Sequence, residues 1–319
     1  MKRTFISAIQ AAGSNWNRFW FAPVSAFNFA LFRTGLGLLT FIWLVTLLPD
    51  FDAFFGTGSL AMERSPGTGW FSIFQWFESD TFLQIGLGLG LAASGTLIFG
   101  KLTRVGGPAL ALLIPSIMTD NLLLWNAGDH LLQTLLLLFG FYCLLTPSSD
   151  LDTPLQFQEP ASKDRLLSNS GVWLFQLVKI QMAIVYLVAF IAKVPGSTWR
   201  DGTASMIVFR LENMERFHTP GWLETNFLIG NAITWASLAL EAALPILLWK
   251  RSTRPYAIAA AAVFHLVIDW TLTIGLFSWI MILGLTAFLP SDLSARLQSM
   301  GRRLKTYRPS SHSSIGNSA

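Results

Sequence analysis

The sequence predicts an all-α fold, a polytopic membrane bundle of about eight transmembrane helices with an N-terminal interfacial helix. Three observations predict it. The chain is 52% hydrophobic and 13% charged, whereas a soluble surface needs roughly 25% charged residues. Its apolar residues gather in runs of 16–22 residues, the length that crosses a hydrocarbon layer about 30 Å thick. Lysine and arginine fall almost wholly in the gaps between those runs and in the tail, the pattern that membrane insertion produces.

Residues 1–28 begin with Lys2 and Arg3, but the apolar stretch 5–9 is too short for a signal-peptide core. Trp16, Arg18 and Trp20 instead suit a cytoplasmic, interfacial helix at headgroup level. The bundle domain, 29–290, contains expected spans at 29–48, 81–99, 105–123, 129–146, 172–193, 229–249, 255–270 and 272–289. Pro49 and Asp50 end the first span, and Pro147 to Asp150 end the fourth. Lys250, Arg251, Arg254 and Pro255 separate the sixth from the seventh, and a tight link near Trp270 and Thr271 joins the last two. Residues 291–319 read as a basic cytoplasmic tail, partly disordered by composition. No internal repeat is visible, which argues against an inverted-repeat transporter.

Orientation follows from the cations. With both termini inside, fifteen lysines and arginines face the cytoplasm and four face outward. That bias predicts a multi-pass protein of the cell (inner) membrane, N-in and C-in, with an even span count. The pI near 9.4 therefore reflects topology and not nucleic-acid binding. Cys143 is the only cysteine, so an intramolecular disulfide and a CxxC redox pair are excluded and a cysteine-held zinc is disfavoured; no metal is expected.

Ionisable groups inside lipid are costly unless paired, so each is a candidate for function. Lys193, Asp129, His130, His265 and Asp269 are expected to share the outer third of the membrane. A lysine at a helix end also snorkels to headgroups, and a histidine at a span end also serves packing. Lys179 and Glu241 are expected at similar depth near the inner side, which suggests a structural ion pair. Lys179, Tyr186 and Lys193 are spaced by seven and share one helix face. Two histidines on facing helices could also ligate haem axially.

These residues carry a resemblance. QMAIVY at 181–186, then Lys193 and WRDG at 199–202, resembles the signature of vitamin K-dependent gamma-carboxylases and of their relatives with the horizontally transferred transmembrane (HTTM) domain. Leu31, Phe32 and Arg33 resemble the family's N-terminal arginine motif, and Asp129 with His130 its polar-plus-His pair. HLVIDWTLTIGLFSW at 265–279 resembles a further family motif. The resemblance implies a small form without the large lumenal domain, and a quinol-dependent, carboxylase- or epoxidase-like membrane enzyme of the lyase class. It implies Lys193 as base on a reduced quinone (vitamin K hydroquinone-like), His130 and His265 as catalytic partners in the same cavity, and Tyr186, Trp199 and Asp269 as cofactor-binding. In the carboxylases the oxidised quinol supplies a strong base that removes a γ-proton from a protein glutamate, and carbon dioxide then adds. Ala192 stands where the carboxylases carry a second lysine. The sporulation-delaying protein B family, a second small relative, implies the alternative of a non-enzymatic maturation or assembly factor for a secreted peptide. The partners expected are membrane lipids, a quinol or other apolar ligand, and a secreted peptide or protein.

Overall fold

The computed structural model describes residues 13–21, 24–56, 72–76, 79–121, 124–155 and 173–293. The protein is an all-α membrane helix bundle. Its main elements among the described residues are the helices α1 (Ala26–Thr46), α2 (Asp80–Phe99), α3 (Thr103–Asp120), α4 (Ala127–Leu145), α5 (Trp173–Lys193), α6 (Phe227–Leu247), α7 (Arg254–Thr271) and α8 (Phe277–Leu285), joined by shorter helical turns. Of these, α1, α2, α4, α5 and α6 are long and apolar enough to cross a membrane. α3 and α7 have 18 residues each but carry more polar sequence, including Arg104 and Asp120 in α3 and His265 and Asp269 in α7.

Local chemistry sets the helix ends. Ser25 caps α1 by accepting from the Asn28 N–H at 3.1 Å. Asn126 and Asp129 form a reciprocal capping box at the start of α4. α2 ends at Gly100, which adopts φ 64°, the left-handed conformation that a residue without Cβ takes most easily. Arg33 packs against that glycine, and a Cβ there would lie 2.5 Å from its guanidinium nitrogens.

The first four helices pack in sequence, α1 on α2, α2 on α3 and α3 on α4. Small residues allow the close approach, since no hydrophobic drive separates helices from lipid. At Gly37 of α1 a Cβ would come within 2.9 Å of the Ser94 carbonyl and the Ile98 amide of α2. Gly37→Ala should therefore push α1 and α2 apart and cost about 1–3 kcal/mol. Thermal unfolding in detergent reads this directly; an unchanged midpoint would mean that the two helices slide freely.

The second half packs around the first. α5 contacts α4 and α6, and α8 touches α1, α4, α5 and α7. The bundle has two ends. One, the basic end, carries Lys101, Arg104, Lys250, Arg251 and Arg254 in or beside its connections. The other carries the α3–α4, α5–α6 and α7–α8 connections.

Two expectations about elements need correction. The span expected at 272–289 is not one helix. Residues 272–276 leave the helix, Gly275 takes φ 62°, and α8 continues only through the short turn Thr286–Phe288. The apolar helical stretch Phe277–Phe288 is about 18 Å long at ~1.5 Å per residue, too short for a layer of about 30 Å. The reason lies in the partner segment. Leu272 forms an antiparallel bridge with Glu215, and the Thr273 N–H donates to the Met214 carbonyl at 2.7 Å. The first span also begins earlier than expected, at Ala26, because Ser25 supplies the cap. Residues 13–21 are helical and, apart from the half-buried Trp20, exposed, and Phe19 stacks on Trp249 with ring centroids 5.8 Å apart. The tail beyond residue 293, expected to be partly disordered, lies outside the described residues.

Candidate functional site

A cavity of about 320 Å³ opens between α5, α6, α7 and α8, roofed by the short helix Ala204–Phe209. Its walls are mostly apolar, with Val185, Phe264, Ile268, Phe277 and Met281 among them. Polar groups meet it in two places.

The first is the end of α5. Lys193 forms an ion pair with Oε1 of Glu241 on α6. Its ammonium also sits 5.1 Å from the ring centroid of Trp199, a cation–π arrangement. The Glu241 side chain is 6% exposed and that of Lys193 26%. Glu241 Oε2 is buried without a hydrogen-bond partner among the described residues.

The second lies one face-repeat back along α5. Tyr186 is 1% exposed, and its hydroxyl stands 2.9 Å from His265 Nε2. His265, also 1% exposed, is ringed by Phe264 and Phe277 at centroid distances of 5.4 and 5.6 Å. Its Nδ1 has no partner among the described residues. The hydroxyl donates to Nε2 when the ring proton is on Nδ1, and accepts from Nε2–H in the other tautomer.

The roof is fixed by hydroxyls. Ser205 Oγ donates to the Gly230 carbonyl at 2.6 Å, and Thr234 Oγ1 donates to Ser205 Oγ at 3.0 Å. The short helix is thus tied to the first turns of α6, closing the cavity beside Lys193.

Four residues expected from sequence therefore converge here: Lys193, Tyr186, Trp199 and His265. Two others do not. His130 is exposed on α4, with Nδ1 3.5 Å from Gln133 Oε1, and does not line the cavity. Its neighbour Asp129 is the buried member of the pair; it accepts from Trp43 Nε1 at 2.9 Å and closes the capping box. Consecutive helical residues point about 100° apart, so burying Asp129 turns His130 outward. Asp269 is also elsewhere. It faces Arg216, with a closest ion-pair distance of 3.4 Å, while Ile268 and Thr271 on the same helix line the cavity.

The expected pair of Lys179 with Glu241 is overturned as well. Glu241 pairs with Lys193, because α5 and α6 are offset along their axes. Phe190 of α5 and Val194 just past its end share a cavity with Leu238 and Ala242 of α6, which sets Glu241 level with the end of α5. Lys179 lies fourteen residues earlier, about 21 Å away along the helix. Glu241 is thus a cavity residue and not the structural partner of Lys179. The signal was its carboxylate within an apolar run, but the run cannot show which lysine faces it.

Among the described residues no cluster of three or more histidine, cysteine or acidic side chains could hold a metal. No curated protein and no solved structure matches the chain. A model of the HTTM domain matches residues 21–293. Those residues include all of the helices that frame the cavity, and the chain belongs to the HTTM-domain family, membrane proteins related to the gamma-carboxylases.

Proposed function

We propose that the cavity receives the ring of a reduced quinone and that Lys193 is the base that takes its proton, working with Glu241. The carrying observation is the arrangement of polar groups around an apolar space. Lys193 and Glu241 stand at one place, Tyr186 and His265 at another, and the unpartnered Glu241 Oε2 and His265 Nδ1 both belong to residues that line the space. A volume of about 320 Å³ is at the small end of ligand pockets, roughly 300–1,000 Å³, and fits a ring whose tail continues between helices. A quinol would supply hydroxyl protons to these side chains and two electrons to an external oxidant of the dioxygen class.

The ion pair refines the role of Lys193. Paired with a carboxylate, the ammonium already holds a proton. Lys193 becomes a base only when that proton passes to Glu241, leaving a neutral amine and a neutral acid. The amine then accepts a hydroxyl proton, and the net charge of the cavity is unchanged by the shift within the pair. Tyr186 orients His265, whose Nδ1 is available for a second ligand oxygen. Trp199 packs on the ammonium and limits water at the cavity edge. The basic end supports a cytoplasmic placement of both termini in the cell's inner membrane, which opens the Lys193 side toward the exterior.

The test is identification of quinones extracted from the detergent-purified protein, together with quinol oxidation by membranes. Lys193→Arg keeps a cation for Glu241 but cannot become neutral near pH 7. It should fold normally, retain bound quinone and lose about 10²–10⁴-fold in quinol oxidation, the usual worth of a positioned base. Full oxidation by Lys193→Arg would remove Lys193 as the base. A purified protein holding a secreted peptide and no quinone would favour the maturation-factor alternative.

A further inference from the structure

A separate cavity of about 570 Å³ lies at the basic end, beyond the reach of the Lys193 site. Lys179 of α5 lines it, with Arg251 and Arg254 from the turn that opens α7. Among the described residues no acidic side chain lines it, and Lys179 makes no ion pair there. The Lys179 ammonium rests 5.9 Å from the centroid of the Phe288 ring. Arg254 donates from Nε and Nη2 to the carbonyls of Leu248 and Trp249, at 2.9 and 3.1 Å, so Nη1 is uncommitted among the described residues. Gln176, 8% exposed, also lines the cavity, and its Oε1 has no hydrogen-bond partner among them either. The carboxamide can present either its oxygen or its amino group. The remaining wall is apolar, with Phe175, Ile258 and Leu289.

Three cations facing one space without an acid repel one another, and a bound anion removes that penalty. An apolar wall beside them suits an acyl chain. We propose that this cavity is a binding site for the phosphate headgroup of an anionic phospholipid. Lys179, Arg251 and the free Nη1 of Arg254 hold the phosphate oxygens through charge-assisted hydrogen bonds. Gln176 serves the polar part of the headgroup, and the Phe175–Ile258 side carries the first part of an acyl chain. Basic pockets between membrane helices bind headgroups by this chemistry. Free phosphate shares the anion chemistry but makes no use of the apolar wall.

The full-length protein in neutral detergent tests this by native mass spectrometry with phosphatidylglycerol, phosphatidylcholine and inorganic phosphate as probes. Phosphatidylglycerol should bind at least tenfold tighter than phosphatidylcholine, and millimolar inorganic phosphate should not displace it. Lys179→Gln and Arg251→Gln should each weaken phosphatidylglycerol by about fivefold, the worth of one cation near an anionic lipid. Lys179→Arg should keep the affinity. Arg251 is exposed, so Arg251→Gln carries the same test should Lys179→Gln fail to fold. Equal binding of the two lipids, unchanged affinity in Arg251→Gln, or displacement by inorganic phosphate would each overturn the lipid site. None of these outcomes bears on the quinol reading, whose residues lie in the other cavity.

Discussion

Glu241→Leu is expected to lower the stability of the bundle by about 3 kcal/mol, and Lys193→Met in the same chain to restore most of it. Removing one partner of a buried ion pair leaves a stranded charge, which costs roughly 3–5 kcal/mol, whereas replacing both by apolar groups is often neutral. The lower end of that range applies because the Lys193 side chain is 26% exposed and can reach water. Lys193→Met alone strands Glu241, whose side chain is 6% exposed, so it should cost at least as much. The measurement is unfolding in detergent for both single variants and the double variant. A double variant as unstable as the sum of the singles would show that the two side chains are not coupled. Lys179→Met, by contrast, should leave Glu241 undisturbed, which separates this pairing from the one the sequence suggested. All variants that break the pair should also lose quinol oxidation, including the double variant whose stability recovers. Stability and activity therefore part company in that one protein.

The second large effect is expected at Arg33. This side chain is fully buried, yet every arm has an acceptor. Nε donates to the Leu97 carbonyl at 2.9 Å, and Nη1 to the carbonyls of Leu151 and Thr153 at 2.8 and 2.7 Å. Nη2 reaches the Thr34 hydroxyl at 3.4 Å. One guanidinium thus joins α1, the end of α2 and the segment after α4 at the basic end. Arg33→Leu would leave three carbonyls without their donor, each costing about 1–3 kcal/mol when buried. A total loss of roughly 4 kcal/mol is expected. A lysine side chain keeps the charge but has no fork, so Arg33→Lys should recover less than half of the loss. Denaturant titration in detergent distinguishes them. If Arg33→Leu lay within about 1 kcal/mol of the parent protein, water must be replacing the guanidinium, and the network would be local in its effect. The leucine–phenylalanine–arginine motif that resembles the family's N-terminal signature is, in this bundle, a fastening between three chain segments.

These two sites show where sequence reasoning succeeds and where it stops. Arg33 and Glu241 are both visible as charges within apolar runs, and both are buried at fixed partners. The sequence could not name the partners. Arg33 binds backbone carbonyls, which every residue carries and which leave no mark in composition. Glu241 had two lysines on one face of α5 to choose from, and equal helix ends favoured the wrong one. The family match over residues 21–293 identifies the architecture, but it does not by itself supply the offset between neighbouring helices.

The sequence by itself determined the membrane class, the helical content, most helix bounds to within a few residues, and the four cavity residues Lys193, Tyr186, Trp199 and His265. The first three depend on apolar run length and helix caps, and the pairing of Tyr186 with Lys193 on one helix face depends on their spacing, all local in the chain; Trp199 and His265 follow from the motifs that resemble the family's. Tertiary structure alone decided that Glu241 joins Lys193, that His130 and Asp269 turn away from the cavity, and that the last expected span shortens to α8. It also gathered Lys179, Arg251 and Arg254 around one space. Axial offset, helix rotation and loop pairing are fixed by which surfaces pack together. A side chain's partner therefore follows from the whole bundle and cannot be read from the run of sequence that contains it.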